Sequence, residues 1–136
     1  MIEKVYIAGC GGMLGKDVYD IFISNNIEVL ASDIDIDEDW LVYGDVRAKE
    51  SIKNIILNFK PDAIINLAAI TDLEYCEENE YESFQTNYEG AKNLGDLSSI
   101  LKVPYVYIST AGIFDGEKEY YDESDTPNPL SIYSKG

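Results

Sequence analysis

Residues 5–15 read Val-Tyr-Ile-Ala-Gly-Cys-Gly-Gly-Met-Leu-Gly, and this stretch decides the fold. Its first four residues form an apolar run of the kind found in a buried parallel strand. Three glycines, Gly9, Gly12 and Gly15, follow at three-residue spacing, and apolar residues then recur at the period of a helix. A strand, a glycine-rich turn and a helix in this order predict a loop that holds the phosphates of a dinucleotide at the helix N-terminus.

The residues of this turn have different expected roles in binding a cofactor. Gly9 permits a tight turn, Gly12 keeps a side chain away from the pyrophosphate, and Gly15 lets the helix approach the strand closely. Met13 and Leu14 complete the turn, and Leu14 stands where the commonest G-x-G-x-x-G fingerprint has glycine. The alternative interpretation is a glycine-rich turn in another kind of α/β protein, so the assignment depends on context.

An acidic residue at the end of the next apolar run supplies that context. Asp33 directly follows Val29–Ser32 and is placed to accept hydrogen bonds from the adenosine ribose hydroxyls. Its carboxylate would repel a 2′-phosphate, and no arginine follows closely to bind one, so the pattern favours NAD(H) and leaves NADP(H) open. The remaining acids of the run 33–39 are interpreted as a solvated loop.

Composition excludes several functional classes. The chain has 136 residues, enough for one domain, and a formal net charge of −16, which argues against nucleic-acid binding. It contains no histidine, so the usual zinc sites and the histidine-based catalytic pairs are absent, and we expect no metal site. The acidic tract 74–82 is interpreted as a solvated helix start. The sequence shows no long apolar span or signal peptide, so we expect no membrane association and a cytoplasmic location.

Strand and helix patterns alternate along the whole chain. After the first unit, strands are predicted at 28–32, 41–43, 63–67 and 105–108. Helices are predicted at 49–59, at 77–101 with an apolar stripe that includes Tyr81, Phe84, Tyr88 and Leu94, and from about Leu130 onward. This alternation predicts an α/β domain of Rossmann type, a doubly wound parallel sheet with helices on both faces. Ligands bind such sheets beyond the carboxyl ends of the strands.

Several short motifs occur in order and together resemble a known family. They are Gly9-x-x-Gly12-x-x-Gly15, Asp45-Val46, Asn66-Leu67-Ala68-Ala69, Ile70-Thr71-Asp72 with Cys76, Ser109-Thr110, Phe114-Asp115-Gly116, Pro127-x-Pro129-Leu130 and Tyr133-Ser134-Lys135. The set is similar to the extended short-chain dehydrogenase/reductases, and most to the dTDP-4-dehydrorhamnose reductase branch, over essentially the whole chain.

The resemblance implies a cofactor site and a nucleotide-sugar substrate. Asp45 and Val46 would bracket the adenine ring, and Ala68 and Ala69, with Ile70 directly after them, would line the nicotinamide side. The implied reaction is hydride transfer to the C4 keto carbon of a nucleoside-diphosphate sugar. The resemblance also allows a homodimer.

The resemblance further implies the catalytic residues. Thr110 would hydrogen-bond the substrate oxygen, and Tyr133 would donate the proton. The family motif Tyr-x-x-x-Lys places its lysine one position beyond Gly136, and we expect Lys135 to point to a different face of the helix. Members of the family are longer, and the part that follows builds most of the sugar-nucleotide pocket. We therefore expect residues 1–136 to be the cofactor-binding domain, with cofactor binding but little turnover.

One departure from the branch pattern keeps alternatives open. Ala111 and Gly112 stand where the branch has Asp-Tyr, which leaves the substrate undecided. The first alternative is an NAD-dependent nucleotide-sugar epimerase that retains its cofactor. The second is a non-catalytic, nucleotide-binding or regulatory relative.

Overall fold

Strands and helices alternate along the chain as the pattern predicts. The structure, a computed structural model, describes residues 1–136. The strands are β1 (Lys4–Ala8), β2 (Glu28–Asp33), β3 (Leu41–Tyr43), β4 (Ala63–Asn66) and β5 (Tyr105–Tyr107). The helices are α1 (Gly15–Ser24), α2 (Lys49–Phe59), α3 (Leu73–Glu78), α4 (Glu80–Phe84), α5 (Ala91–Leu101) and α6 (Ile132–Lys135). A π-helical segment, Gln85–Gly90, joins α4 to α5, and a 3₁₀ turn, Ala111–Ile113, follows β5.

The five strands form one parallel sheet in the order β3-β2-β1-β4-β5. Successive residues of the central strand β1 face opposite sides of the sheet. Tyr6 and Ala8 belong to the core beneath α2 and α5, whereas Val5 and Ile7 belong to the core beneath α1. The predicted Rossmann-type, doubly wound sheet is therefore confirmed. The longest helices have 11 residues, and none combines the length and apolar character that a bilayer crossing requires.

The long helix predicted over 77–101 is wrong in its start and in its continuity. Helix α3 begins at Leu73 because the Asp72 carboxylate accepts a hydrogen bond of 2.9 Å from the backbone N–H of Tyr75 and caps its first turn. Asn79, with φ −126° and ψ 53°, leaves the helical region and separates α3 from α4. The π-helical turn then follows, and such turns frequently occur at functional sites.

The predicted apolar stripe is also wrong for three of the four residues named above. Tyr81, Phe84 and Tyr88 are exposed, and only Leu94 is buried. The buried face between α4 and α5 instead consists of the small or polar residues Ser83, Asn87 and Gly90. Elsewhere the predicted bounds shift slightly, since β2 extends to residue 33, β4 and β5 end at residues 66 and 107, and α6 begins at residue 132.

Candidate functional site

A cavity of about 560 Å³ lies at the carboxyl ends of the strands. Eight of the eleven residues that the sequence predicts to bind a cofactor line it: Gly9, Gly12, Asp33, Asp45, Val46, Ala68, Ala69 and Ile70. The other three, Met13, Leu14 and Gly15, do not. The other lining residues, to which the sequence assigns no individual cofactor role, are Gly11, Ile34, Asp35, Gly44, Arg47, Leu67, Tyr75, Glu82 and Thr86.

Two glycines of the loop after β1 stand where the chain itself leaves no room for a side chain. Gly9 has φ +73°, and a Cβ there would lie 2.2 Å from the backbone nitrogen of Ala68. A Cβ on Gly15 would lie 1.8 Å from the carbonyl oxygen of Cys10. At Gly12 the nearest atom would be the Gly9 carbonyl oxygen, 3.4 Å away, so the space beside Gly12 opens into the cavity. Protein packing therefore explains the first two glycines, whereas the open space explains the third.

The end of this loop presents free hydrogen-bond donors. The side chains of Met13 and Leu14 are exposed, and their backbone N–H groups have no acceptor within the chain. These groups precede the N-terminus of α1, whose ten residues give it a positive dipole end. Free N–H groups at the start of a helix form an arrangement suited to a phosphate, even though neither side chain lines the cavity.

Asp33 is oriented toward the glycine-rich loop by two backbone contacts. Its Oδ2 accepts a hydrogen bond of 2.8 Å from the N–H of Gly11, and its Oδ1 accepts one of 3.1 Å from the N–H of Asp35. Each carboxylate oxygen has a second lone pair, so Asp33 can also accept hydrogen bonds from ligand hydroxyls. This position at the edge of the cavity matches the one expected for a residue that binds ribose.

Asp45 is part of a charged cluster that lines the cavity. Arg47 donates to both Asp45 oxygens at 2.9–3.1 Å, and these hydrogen bonds hold the pKa of the Asp45 carboxyl below its usual value. Arg47 also bonds Glu82 of α4 at 3.1 Å, and the other oxygen of Glu82 accepts a 2.7 Å bond from the Tyr75 hydroxyl of α3. The only arginine lining the cavity is thus already paired with two carboxylates.

Val46 is a buried residue whose position depends on the π-helical segment. A Cβ on Gly90 would lie 2.5 Å from Val46 Cγ2, so only glycine permits this close packing. The carbonyl oxygen of Val46 accepts a 2.9 Å bond from Asn93 Nδ2. These contacts hold Val46 at the cavity wall.

The loop after β4 is held by a side chain that sequence reasoning did not identify. Asn87 forms two hydrogen bonds with one residue, accepting from the Ile70 N–H at 2.8 Å and donating to the Ile70 carbonyl oxygen at 2.9 Å. Asn66 Oδ1 accepts from the N–H of Ala68 at 3.0 Å. The loop carrying Ala68, Ala69 and Ile70 is therefore fixed at both of its ends.

The two predicted catalytic residues meet in a second cavity of about 120 Å³. Thr110 and Tyr133 both line it, and Ala69 lines both cavities, so the two are adjacent. Thr110 Oγ1 also accepts a 3.1 Å bond from the N–H of Gly112 and caps the 3₁₀ turn. Lys135 lines the same cavity as Tyr133, as do Ser134 and Gly136 of the same turn, and the expectation that its side chain points to a different face of α6 stays a prediction.

Burial makes the nearby thiol and phenols poor acids. It raises the pKa of the Cys10 thiol to about 12, with the Asp33 charge as the smaller cause, and Cys10 is fully enclosed. Burial also raises the pKa of Tyr107, with a smaller effect from Tyr133. Cys10 therefore fills space in the loop, and Tyr107 stays protonated beside the second cavity.

Comparisons with known proteins place the chain among longer relatives. The family model described as RmlD substrate binding domain matches residues 3–136. A dTDP-4-dehydrorhamnose reductase of Aggregatibacter actinomycetemcomitans is 32% identical over 136 residues, which make up 98% of this chain and 44% of that protein. The methionine adenosyltransferase 2 subunit beta of Bos taurus is 29% identical over 133 residues, 98% of this chain and 40% of that protein. The crystal structure of dTDP-4-dehydrorhamnose reductase from Bacillus anthracis in complex with NADP aligns with a TM-score of 0.88 and 28% identity, over 99% of this chain and 46% of that one. The chain spans less than half the length of these relatives.

Proposed function

The chain belongs to the RmlD substrate binding domain family, and from this premise we propose that it is the cofactor-binding part of an NAD(P)-dependent oxidoreductase. The proposed reaction is reduction of the C4 keto group of a nucleoside-diphosphate sugar, as in the dTDP-4-dehydrorhamnose reductases that the chain resembles. The observation that carries this proposal is the adjacency of the two cavities. One is built on the glycine-rich loop and Asp33, the other contains Thr110 and Tyr133, and Ala69 lines both.

The residues of the larger cavity fit a nicotinamide dinucleotide. The free N–H groups of Met13 and Leu14, directly after the lining residue Gly12, suit the pyrophosphate, and the lone pairs of Asp33 suit the ribose hydroxyls. Asp45 and Val46 are assigned to the adenine, and the small residues Ala68 and Ala69 to the nicotinamide side. When bound, the cofactor supplies the hydride.

The residues of the smaller cavity are assigned to the substrate carbonyl. Thr110 orients the substrate carbonyl oxygen through its hydroxyl. Tyr133 holds the proton at its phenol oxygen and delivers it to the carbonyl oxygen as negative charge develops on that oxygen. The Tyr133 hydroxyl has no hydrogen-bond partner within the chain, which leaves it free to meet a substrate oxygen. The rest of the sugar-nucleotide pocket is assigned to residues beyond 136, which the longer relatives possess.

The charges around the larger cavity favour NADH over NADPH. Asp33 and Asp35 lie at its ribose end, and Arg47 is paired with Asp45 and Glu82. A 2′-phosphate would therefore meet carboxylates with no free cation to balance it. The Bacillus anthracis relative was solved in complex with NADP. The proposed preference for NADH therefore distinguishes this chain from that relative.

The test is oxidation of the reduced cofactor by the full-length protein. We expect loss of NADH absorbance with a 4-keto nucleotide sugar, and no loss with the corresponding 4-hydroxy sugar as a matched control. Failure to oxidise NADH or NADPH across dTDP-, UDP- and GDP-linked 4-keto sugars would overturn the reductase proposal.

A second candidate, a non-catalytic nucleotide-binding subunit, is favoured by two observations. The chain is 29% identical to a methionine adenosyltransferase 2 subunit beta, and Ala111 and Gly112 replace the Asp-Tyr pair of the reductase branch. Binding of NADH without turnover would support this candidate. Turnover that Tyr133→Phe abolishes would overturn it.

A further inference from the structure

Helix α3 connects the two cavities through adjacent side chains. The Cys76 thiol donates to the carbonyl oxygen of Ile70 at 3.5 Å, in the loop that lines the larger cavity. Glu77 Oε1 accepts a hydrogen bond of 2.8 Å from the backbone N–H of Ile132, the first residue of α6. We propose that Glu77 is a positioning residue that holds the helix carrying Tyr133 in place against the cofactor loop. This inference rests on the proton-donor role proposed above for Tyr133.

The Glu77 contact is the only hydrogen bond that ties α6 to another helix. The remaining cap of α6 is local, because Ser131 Oγ accepts from the N–H of Ser134 at 3.2 Å. A local cap can form in any orientation of the helix, whereas Glu77 lies 55 residues away from Ile132 in sequence. The Glu77 bond therefore ties the start of α6 to α3, in addition to the packing of α6 against α3 and α4.

No other contact accounts for the Glu77 carboxylate. It forms no ion pair, and its bond to Ile132 is its only hydrogen bond. Its neighbour Glu78 is on the same short helix, is exposed and forms neither kind of contact. Both carboxylates are exposed, as the interpretation of the tract 74–82 as a solvated helix start expects, and the bond to Ile132 distinguishes Glu77 from Glu78. Glu78 provides the matched control.

The position of α6 matters because Tyr133 directly follows the anchored residue Ile132. Release of that anchor moves the phenol relative to Thr110, across a cavity of only about 120 Å³. A misplacement of about 1 Å at a reacting group can cost roughly a hundredfold in rate. Cofactor binding should be spared, because Ile70 keeps both hydrogen bonds to Asn87 when Glu77 is changed.

The experiment compares three variants of the full-length protein: Glu77→Ala, Glu77→Gln and Glu78→Ala. The readouts are kcat with a 4-keto nucleotide sugar, the Kd for NADH from fluorescence, and hydrogen exchange of the peptide spanning 130–136. We expect Glu77→Ala to lower kcat by about tenfold or more, with the NADH Kd within about twofold and faster exchange in α6. Glu77→Gln should keep kcat within about threefold, because its amide oxygen can accept the same hydrogen bond. Glu78→Ala should match the unmodified protein in all three readouts.

Two kinetic results would overturn the inference. One is a kcat for Glu77→Ala within about twofold of the unmodified protein, and the other is an equal loss in the Gln variant, which would assign the effect to charge. If Glu77→Ala does not fold, Glu77→Asp replaces it, and an unchanged kcat for this shortened side chain overturns the inference as well. If the unmodified protein reduces no sugar on the panel, the proposed function fails, and hydrogen exchange then decides on Glu77 separately. Faster exchange of α6 in Glu77→Ala alone supports the anchor, and unchanged exchange overturns it.

Discussion

Replacement of Gly15 by alanine, compared with the same change at Gly12, separates the folding role of the glycine-rich loop from its binding role. A Cβ on Gly15 would lie 1.8 Å from the carbonyl oxygen of Cys10 and 2.3 Å from its carbonyl carbon. Both are backbone atoms, so no side-chain rotation relieves the clash. Overpacking of this kind costs up to about 3 kcal/mol, and the better helix propensity of alanine returns about 1 kcal/mol. We therefore expect the free energy of unfolding to fall by up to about 2 kcal/mol.

The same substitution at Gly12 should leave the free energy of unfolding almost unchanged and lower the affinity for NADH. The nearest atom to its Cβ would be the Gly9 carbonyl oxygen at 3.4 Å, so the free energy of unfolding should change by no more than about 0.5 kcal/mol. The methyl group would, however, occupy the space through which the pyrophosphate approaches, so NADH affinity should fall by about tenfold, or about 1.4 kcal/mol.

The assays are urea unfolding followed by circular dichroism and titration of NADH fluorescence. An unchanged urea slope m would show that both variants unfold from the same compact state. A Gly15→Ala variant as stable as the unmodified protein would refute the packing argument. A Gly12→Ala variant with normal NADH affinity would refute the assignment of this loop to the pyrophosphate.

Three further predictions concern single side chains. Tyr133→Phe should lower kcat by about 10²–10⁴-fold and leave the NADH Kd within about twofold, measured by steady-state kinetics and fluorescence titration; an active Phe variant would remove Tyr133 as the proton donor. Asp33→Asn should reduce the preference for NADH over NADPH by about tenfold, measured as the ratio of the two Kd values, because the change removes the charge that repels a 2′-phosphate. Hydrogen bonds from Tyr121 and Asn128 lower the pKa of Asp115 to about 2. The stability that these bonds give to the loop after β5 is therefore complete above pH 3.8, the ordinary pKa, and is lost as pH falls toward 2. An NMR titration of the Asp115 carboxyl and the Tyr121 ring measures this, and an Asp115 midpoint at or above 3.8 would contradict it.

Local patterns were sufficient for the elements of the sheet. The run before Gly9 predicted β1, and the spacing of the glycines predicted the turn and α1. At Gly9 the glycine-rich loop closely approaches the backbone of Leu67 and Ala68 after β4, and at Gly15 the start of α1 closely approaches the backbone of Cys10. The approach of Gly15 to Cys10 is local, whereas the approach of Gly9 to Ala68 joins distant parts of the chain, and the glycine spacing indicates both positions.

The region between β4 and α5 shows where local patterns fail. Its aromatic residues recur at helical spacing and predict a buried stripe, yet Tyr81, Phe84 and Tyr88 are exposed. The residue that faces the site is Asn87, because the backbone of Ile70 requires a donor and an acceptor at that position. Sequence periodicity depends only on the spacing of apolar residues. The buried position of Asn87 depends instead on hydrogen bonds to Ile70, in a loop 17 residues away.

In the candidate site, too, local sequence patterns determine some features and long-range contacts determine the others. The sequence alone determined the sheet, the glycine-rich loop and the candidate residues that follow each strand, because each depends on neighbours in the chain and on the parallel strand order. Only the tertiary structure decided that Arg47 is neutralised by Glu82, that Ala69 joins the two cavities, and that Glu77 anchors the helix of Tyr133. Two of these contacts join residues that are 35 and 55 positions apart, and the third joins two different cavities. No local pattern encodes which distant side chain will meet a given group when the helices pack on the sheet.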